Sequence, residues 1–193
     1  MDESDNQQTV SAPGNATPAL LRENLALLAE LVDQLTRLDN HLFAEECAAI
    51  GGGQTVGRHC RHICDHYDAL LSSVEQDNLM SSVDVDYDKR ARSTETERSR
   101  DLCIERLQGF RRRLADLDDV DGERPIRLSV EVFIGGKGTT TMVTSFAREL
   151  AFLASHTTHH SALVALLLRS ANQEPAEDLG RAAATRAHES ASA

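Results

Sequence analysis

Positive charge is scarce in this chain. Lys and Arg total 20 against 31 Asp and Glu, a formal net charge of −11 over 193 residues. The densest basic cluster, FRRRLADLDD (Phe110 to Asp119), runs straight into acids and reads as a solvated helix end. Neutralising phosphates takes clustered Lys and Arg, so nucleic acid and anionic membrane surfaces are excluded as partners. Long apolar runs are also missing: nothing approaches the roughly 18 consecutive apolar residues of a membrane span. The start, MDESDNQQTVSAPGNATP, is acidic and polar, the opposite of a secretory signal, which makes the cytoplasm the expected compartment. Cysteines are few, Cys47, Cys60, Cys64 and Cys103, and in that compartment all four read as reduced, small buried hydrophobes. No internal repeat suggests a solenoid.

What is present is helical periodicity. Residues 1–16 lack it and are expected to form a disordered tail. Thr17-Pro18 looks like a helix start, and Leu21, Leu25, Leu28, Val32, Leu35 and Leu42 mark one amphipathic helix to about Ala49. After IGGGQ, Thr55 opens a second helix to about Ser72, with Val56, Ile63, Tyr67, Leu70 and Leu71 on one side. The short glycine connection predicts that these two helices lie antiparallel as neighbours. A polar stretch over 73–93 is long enough to cross a bundle. Thr94 and Glu97 then have capping-box spacing before a third helix carrying Cys103, Leu107, Phe110, Leu114 and Leu117. IRLSVEVFIGGKGTTTMVTS (126–145) alternates like a β-hairpin, and a fourth helix follows to about Ser170. The expected fold is an all-α four-helix bundle over 17–171 with a small β-hairpin inserted before the last helix. Residues 172–193 are expected to be a mobile tail.

Histidines interrupt two of the apolar helices. At roughly 100° per residue, His156 and His160 fall within the arc of Phe146, Leu153, Val164 and Leu167, while His159 points to its edge. Spacing of four lets two imidazoles reach one ion, as in H-E-x-x-H zinc proteases, although Thr157 stands after His156 where that motif has Glu. The second helix carries His59, His62 and His66 as a ridge beside its apolar face. Two ligands from the fourth helix and one from the second would make a three-His site with open coordination positions. The competing reading is histidines that only pack and hydrogen-bond. Cys60 and Cys64 project toward the core, away from the ridge, and read as packing. E-x-x-H is absent, which removes the di-iron carboxylate bundles. His41 and His188 are expected in solvent.

VGRHCRHICDHYDALL, VDYDKRARSTETE and SFARELAFLASHTTHHSALVALLL together resemble the DinB-like (YfiT-like) metal-binding superfamily over most of residues 18–171. The resemblance implies a bundle of up-down-down-up topology and one divalent ion, zinc or nickel, held by His62, His156 and His160, with His59, His66 and His159 as alternates on the same helices. It also implies that a small-molecule thiol of the bacillithiol, mycothiol or glutathione type is a co-substrate, transferred through sulfur to an electrophile. Glu149, on the same face as His156, is the candidate for orienting a ligand or relaying protons; its ordinary alternative is a surface acid paired with Arg148. DYDKRAR (Asp86 to Arg92) is a candidate for recognising an anionic co-substrate, or else a solvated crossover. The alternative to an enzyme is a non-catalytic metal-binding stress or interaction protein. A homodimer is compatible with either.

Overall fold

The computed structural model describes residues 16–48, 51–76, 83–89, 93–117, 119–133, 135 and 138–192. Its elements are α1 (Thr17–Thr36), α2 (Asn40–Ala44), α3 (Val56–Gln76), β1 (Val83–Asp86), α4 (Thr94–Arg98), α5 (Arg100–Ala115), β2 (Pro125–Val132), β3 (Gly138–Ser145), α6 (Phe146–Ser170) and α7 (Ala183–Ser192). Apart from Ala16, the expected N-terminal tail lies outside the described residues. So do Arg90 to Arg92 of the crossover.

The expected all-α fold is corrected by a three-stranded sheet of order β1-β2-β3. β2 and β3 pair antiparallel from Pro125↔Ser145 to Val132↔Gly138, forming the hairpin. β1 adds to β2 in parallel, Val83↔Ile126 through Asp86↔Ser129, so α4 and α5 form the crossover that a parallel pair requires. Val83, Val85, Ile126 and Leu128 are buried, and β1 packs on α3. The sheet is thus a second layer on the helices rather than a decoration.

Several helix ends also differ from the periodic reading. The first helix stops at Thr36, because Asp39 accepts a hydrogen bond from the His41 backbone N–H at 2.7 Å and caps α2 as a separate turn. The third helix is divided at Ser99. This residue is extended and caps α5 through the Leu102 N–H, while Ser93 caps α4 through the Thr96 N–H.

The two helices expected as neighbours occupy opposite corners: α1 packs on α5 and α6, and α3 packs on the same pair. Side-chain contacts show how the four long helices run. Asn24 donates to the Leu150 carbonyl, and Gly122 lies against both Thr17 at the start of α1 and Ala147 at the start of α6, so α1 and α6 ascend together. Arg106 meets Asp65 and Arg113 meets Glu75, so α3 and α5 descend side by side. Beyond α6, the segment read as a tail lies against the bundle. Leu179 is buried, and Gly180, at φ +76°, sits so close to the Ala162 backbone that a side chain there would collide with it.

α3 and α4 are similarly close at Gly57, where a methyl group would overlap the Glu97 carbonyl and crowd Phe43. The partner is backbone and gives way poorly. Gly57→Ala is therefore expected to destabilise the fold by about 2 kcal/mol despite the better helix propensity of Ala. Urea unfolding monitored by circular dichroism checks this; an unchanged midpoint would show that α4 shifts freely.

Candidate metal centre

Because α3 and α6 pack antiparallel, the histidine ridge of one meets the histidine pair of the other. His66 lies beside His156 (ring centroids 4.1 Å apart), His62 beside both His156 (4.9 Å) and His160 (4.5 Å), and His59 beside His160 (5.2 Å). Five imidazoles therefore share one interface. His62, His66 and His156 form its tightest group, offering ligand atoms that all lie within 4.8 Å of one another. His66 is buried; His62 and His156 are half-buried. Expected only as an alternate, His66 thus enters the compact trio. His160 adjoins it, and His159 is exposed beside His160.

The donor chemistry fits a divalent ion. A tetrahedral ion with metal–nitrogen bonds of about 2.0–2.1 Å holds its nitrogens about 3.3–3.4 Å apart, and the ligand atoms of this trio already lie within 4.8 Å of one another. His66 is already oriented for it. Its Nδ1 lies 2.9 Å from the His62 carbonyl oxygen, which can only accept, so Nδ1 carries the proton and Nε2 is the basic nitrogen. Such a hydrogen bond from the second ring nitrogen is a usual support for a metal-binding histidine.

His59 and His160 face each other through Nδ1 atoms 3.0 Å apart, so one must donate and the other accept. Burial first, then the positive fields of Arg58, His159 and Arg61, lowers the pKa of His59 and keeps its ring neutral at pH 7.

An aromatic wall closes the His66 side. Tyr87, just after β1, stacks on His66 at 5.2 Å and meets Phe152 at 5.2 Å, and Phe152 stacks on His156 at 5.5 Å. The Tyr87 hydroxyl donates to Glu149 Oε2 at 2.9 Å, and the Thr144 hydroxyl of β3 donates to Glu149 Oε1 at 2.9 Å. Burial, reinforced by the neighbouring carboxylate, raises the Tyr87 pKa, so the phenol keeps its proton. Glu149 is fully buried rather than a surface acid, with Arg148 at 3.5 Å, and its link to the histidines runs through Tyr87. Tyr87 belongs to the DYDKRAR segment considered for an anionic co-substrate, but the structure sets it against His66 instead, and the alternation VDVD is the available sign of the strand that carries it there.

The thiols stand apart from this chemistry. Cys60, Cys64 and Cys103 are fully buried in the core. The Cys64 pKa is raised by burial, and the Cys103 pKa is raised chiefly by its hydrogen bond with Cys60, so neither is a ready thiolate. His41 is exposed beside Glu45, and His188 is exposed on α7.

Comparison with protein-family models and with curated proteins finds no match. The geometry therefore has to carry the functional reading. His62, His66 and His156 lie close enough to hold a metal ion. Among the described residues, no helix is long and apolar enough to cross a membrane.

Proposed function

We propose that this protein is a DinB-like metalloprotein that holds one zinc or nickel ion and uses it to transfer a small-molecule thiol to an electrophile. The observation that carries the metal is the convergence of three imidazole ligand atoms within 4.8 Å of one another, from two helices. His62 and His156 are ligands in this reading. His66 takes the third position, with His160 the competing third ligand.

Three protein ligands leave a coordination position for a substrate, the usual difference between a catalytic and a structural site. A bound divalent ion supplies Lewis acidity there and lowers the pKa of a thiol that binds it. Cys60, Cys64 and Cys103 are buried in the core, and Cys47 lies beside Ser170 at the C-terminal end of α6, so in this reading the nucleophile comes from solution. Tyr87, locked by Glu149 and stacked on His66, holds that ring in place and shields it from water.

The non-catalytic alternative rests on His160, whose ring centroid is 4.4 Å from that of His156. A fourth imidazole closing the coordination sphere would leave no place for substrate. Cobalt-substituted protein separates the two. Added glutathione or 2-mercaptoethanol is expected to produce an intense thiolate-to-cobalt absorption band. A spectrum that stays unchanged at saturating thiol means a closed site and removes the transfer reaction. Metal content of two variants assigns the third ligand: occupancy lost in His66→Ala and kept in His160→Ala supports His66, and the reverse pattern returns the position to His160.

A further inference from the structure

We propose that the outer edge of β3 is a contact between two copies of this chain, paired antiparallel about a two-fold axis. β3 is an edge strand, bonded to β2 on one side and, among the described residues, to no strand on the other. Its residues from Gly138 to Val143 are all exposed. Val143 on one face is 79% exposed and Met142 on the other is 48% exposed. With Val132 and Phe133 they make four of the five large hydrophobic side chains that stand exposed among the described residues, all on this one hairpin.

Edge strands of monomers are ordinarily guarded by a charge, a proline or a bulge. β3 has none of these. Its sequence, GTTTMVTS, contains no charge and no proline, and its register with β2 is unbroken over eight residues, so there is no bulge.

The partner follows from charge and symmetry. Two copies carrying −11 each repel over most approaches. That repulsion is weakest along an uncharged strand, where backbone N–H and C=O groups also await partners. A strand paired with its own copy satisfies both rows at once, which is the self-complementarity of a two-fold interface. Thr139, Thr141 and Val143 share one face and Thr140 and Met142 the other, so an axis perpendicular to the sheet keeps like faces together. The product is a six-stranded sheet joined by Thr–Thr and Thr–Val cross-strand pairs. This interface is independent of the metal reading.

Sedimentation equilibrium of the full chain across the micromolar range tests it. Wild type is expected to show twice the 21.1 kDa chain mass. Thr141→Lys/Val143→Lys places like charges across the axis and is expected to halve the mass, as is Thr141→Asp/Val143→Asp. An equimolar mixture of the two variants is expected to restore the two-chain mass, which a misfolded variant would not do. A monomeric wild type, a dimer that the lysine pair leaves intact, or a mixture that stays monomeric would each overturn the proposal.

Discussion

Saturating zinc or nickel is expected to raise the thermal unfolding midpoint by roughly 5–10 °C, and His156→Ala is expected to abolish the rise. A ligand that binds only the folded chain stabilises it by mass action, about 2.7 kcal/mol at a hundredfold excess over Kd. In a domain of this size, each kcal/mol moves the midpoint by about 2–4 °C. Only the folded chain brings His62 and His66 of α3 against His156 of α6, so the unfolded chain competes poorly for the ion. In the proposed centre, His156→Ala removes the member of the trio that α6 contributes and leaves His62 and His66 of α3. The measurement is a melt of apo protein, metal-loaded protein, and loaded protein treated with chelator. A shift of similar size in wild type and His156→Ala would place the ion elsewhere and withdraw the centre described here.

The second large effect lies in the core. Asn24 is fully buried, and its side-chain amide donates to the Leu20 and Leu150 carbonyls at 2.8 and 3.0 Å. Its carbonyl accepts from the Tyr67 hydroxyl at 2.6 Å, and that hydroxyl in turn accepts from Thr157 at 3.2 Å. One polar network therefore ties α1, α3 and α6 together at the bundle centre, one residue from His156. Burial raises the Tyr67 pKa, so its phenol remains a donor. Asn24→Ala strands that donor and leaves the Leu150 carbonyl without the amide, away from water. Each loss costs on the order of 1–3 kcal/mol, so the total is expected near 3–4 kcal/mol. A fall in the melting midpoint of roughly 10 °C should follow. A fall of only a degree or so would mean that water replaces the amide.

Much of the local structure was legible. The apolar stripes of α1, α3, α5 and α6 and the alternation of β2 and β3 record which side of each element is buried, because backbone periodicity of about 3.6 or 2 is a property of the element itself. Even so, the buried face of α1 is wider than its leucine periodicity marks. Asn24, Leu27 and Leu31 are buried beside Leu21 and Leu28, since α1 packs against two helices rather than one. β1 escaped because four residues alternating Val and Asp inside an acidic crossover earn a strand identity only by pairing with β2, some 40 positions further on. The place of α1 relative to α3 escaped for a similar reason. The length of a connection limits how far apart two helices can be, but packing chooses which of the remaining faces they share.

The candidate site divides along the same line. That His156 and His160 lie one turn apart on a single face, and that His59, His62 and His66 form a ridge, follows from helix geometry alone. Which of the five meet does not. Antiparallel helices can slide by a turn at little local cost, and each turn exchanges one histidine partner for another. The register is held by distant contacts, among them Tyr67 with Asn24 and Thr157, and Glu149 with Tyr87 and Thr144. These interactions join segments far apart in the chain, so no local pattern encodes them. They bring His66 to His156, and His59 to His160, only when the whole molecule has assembled.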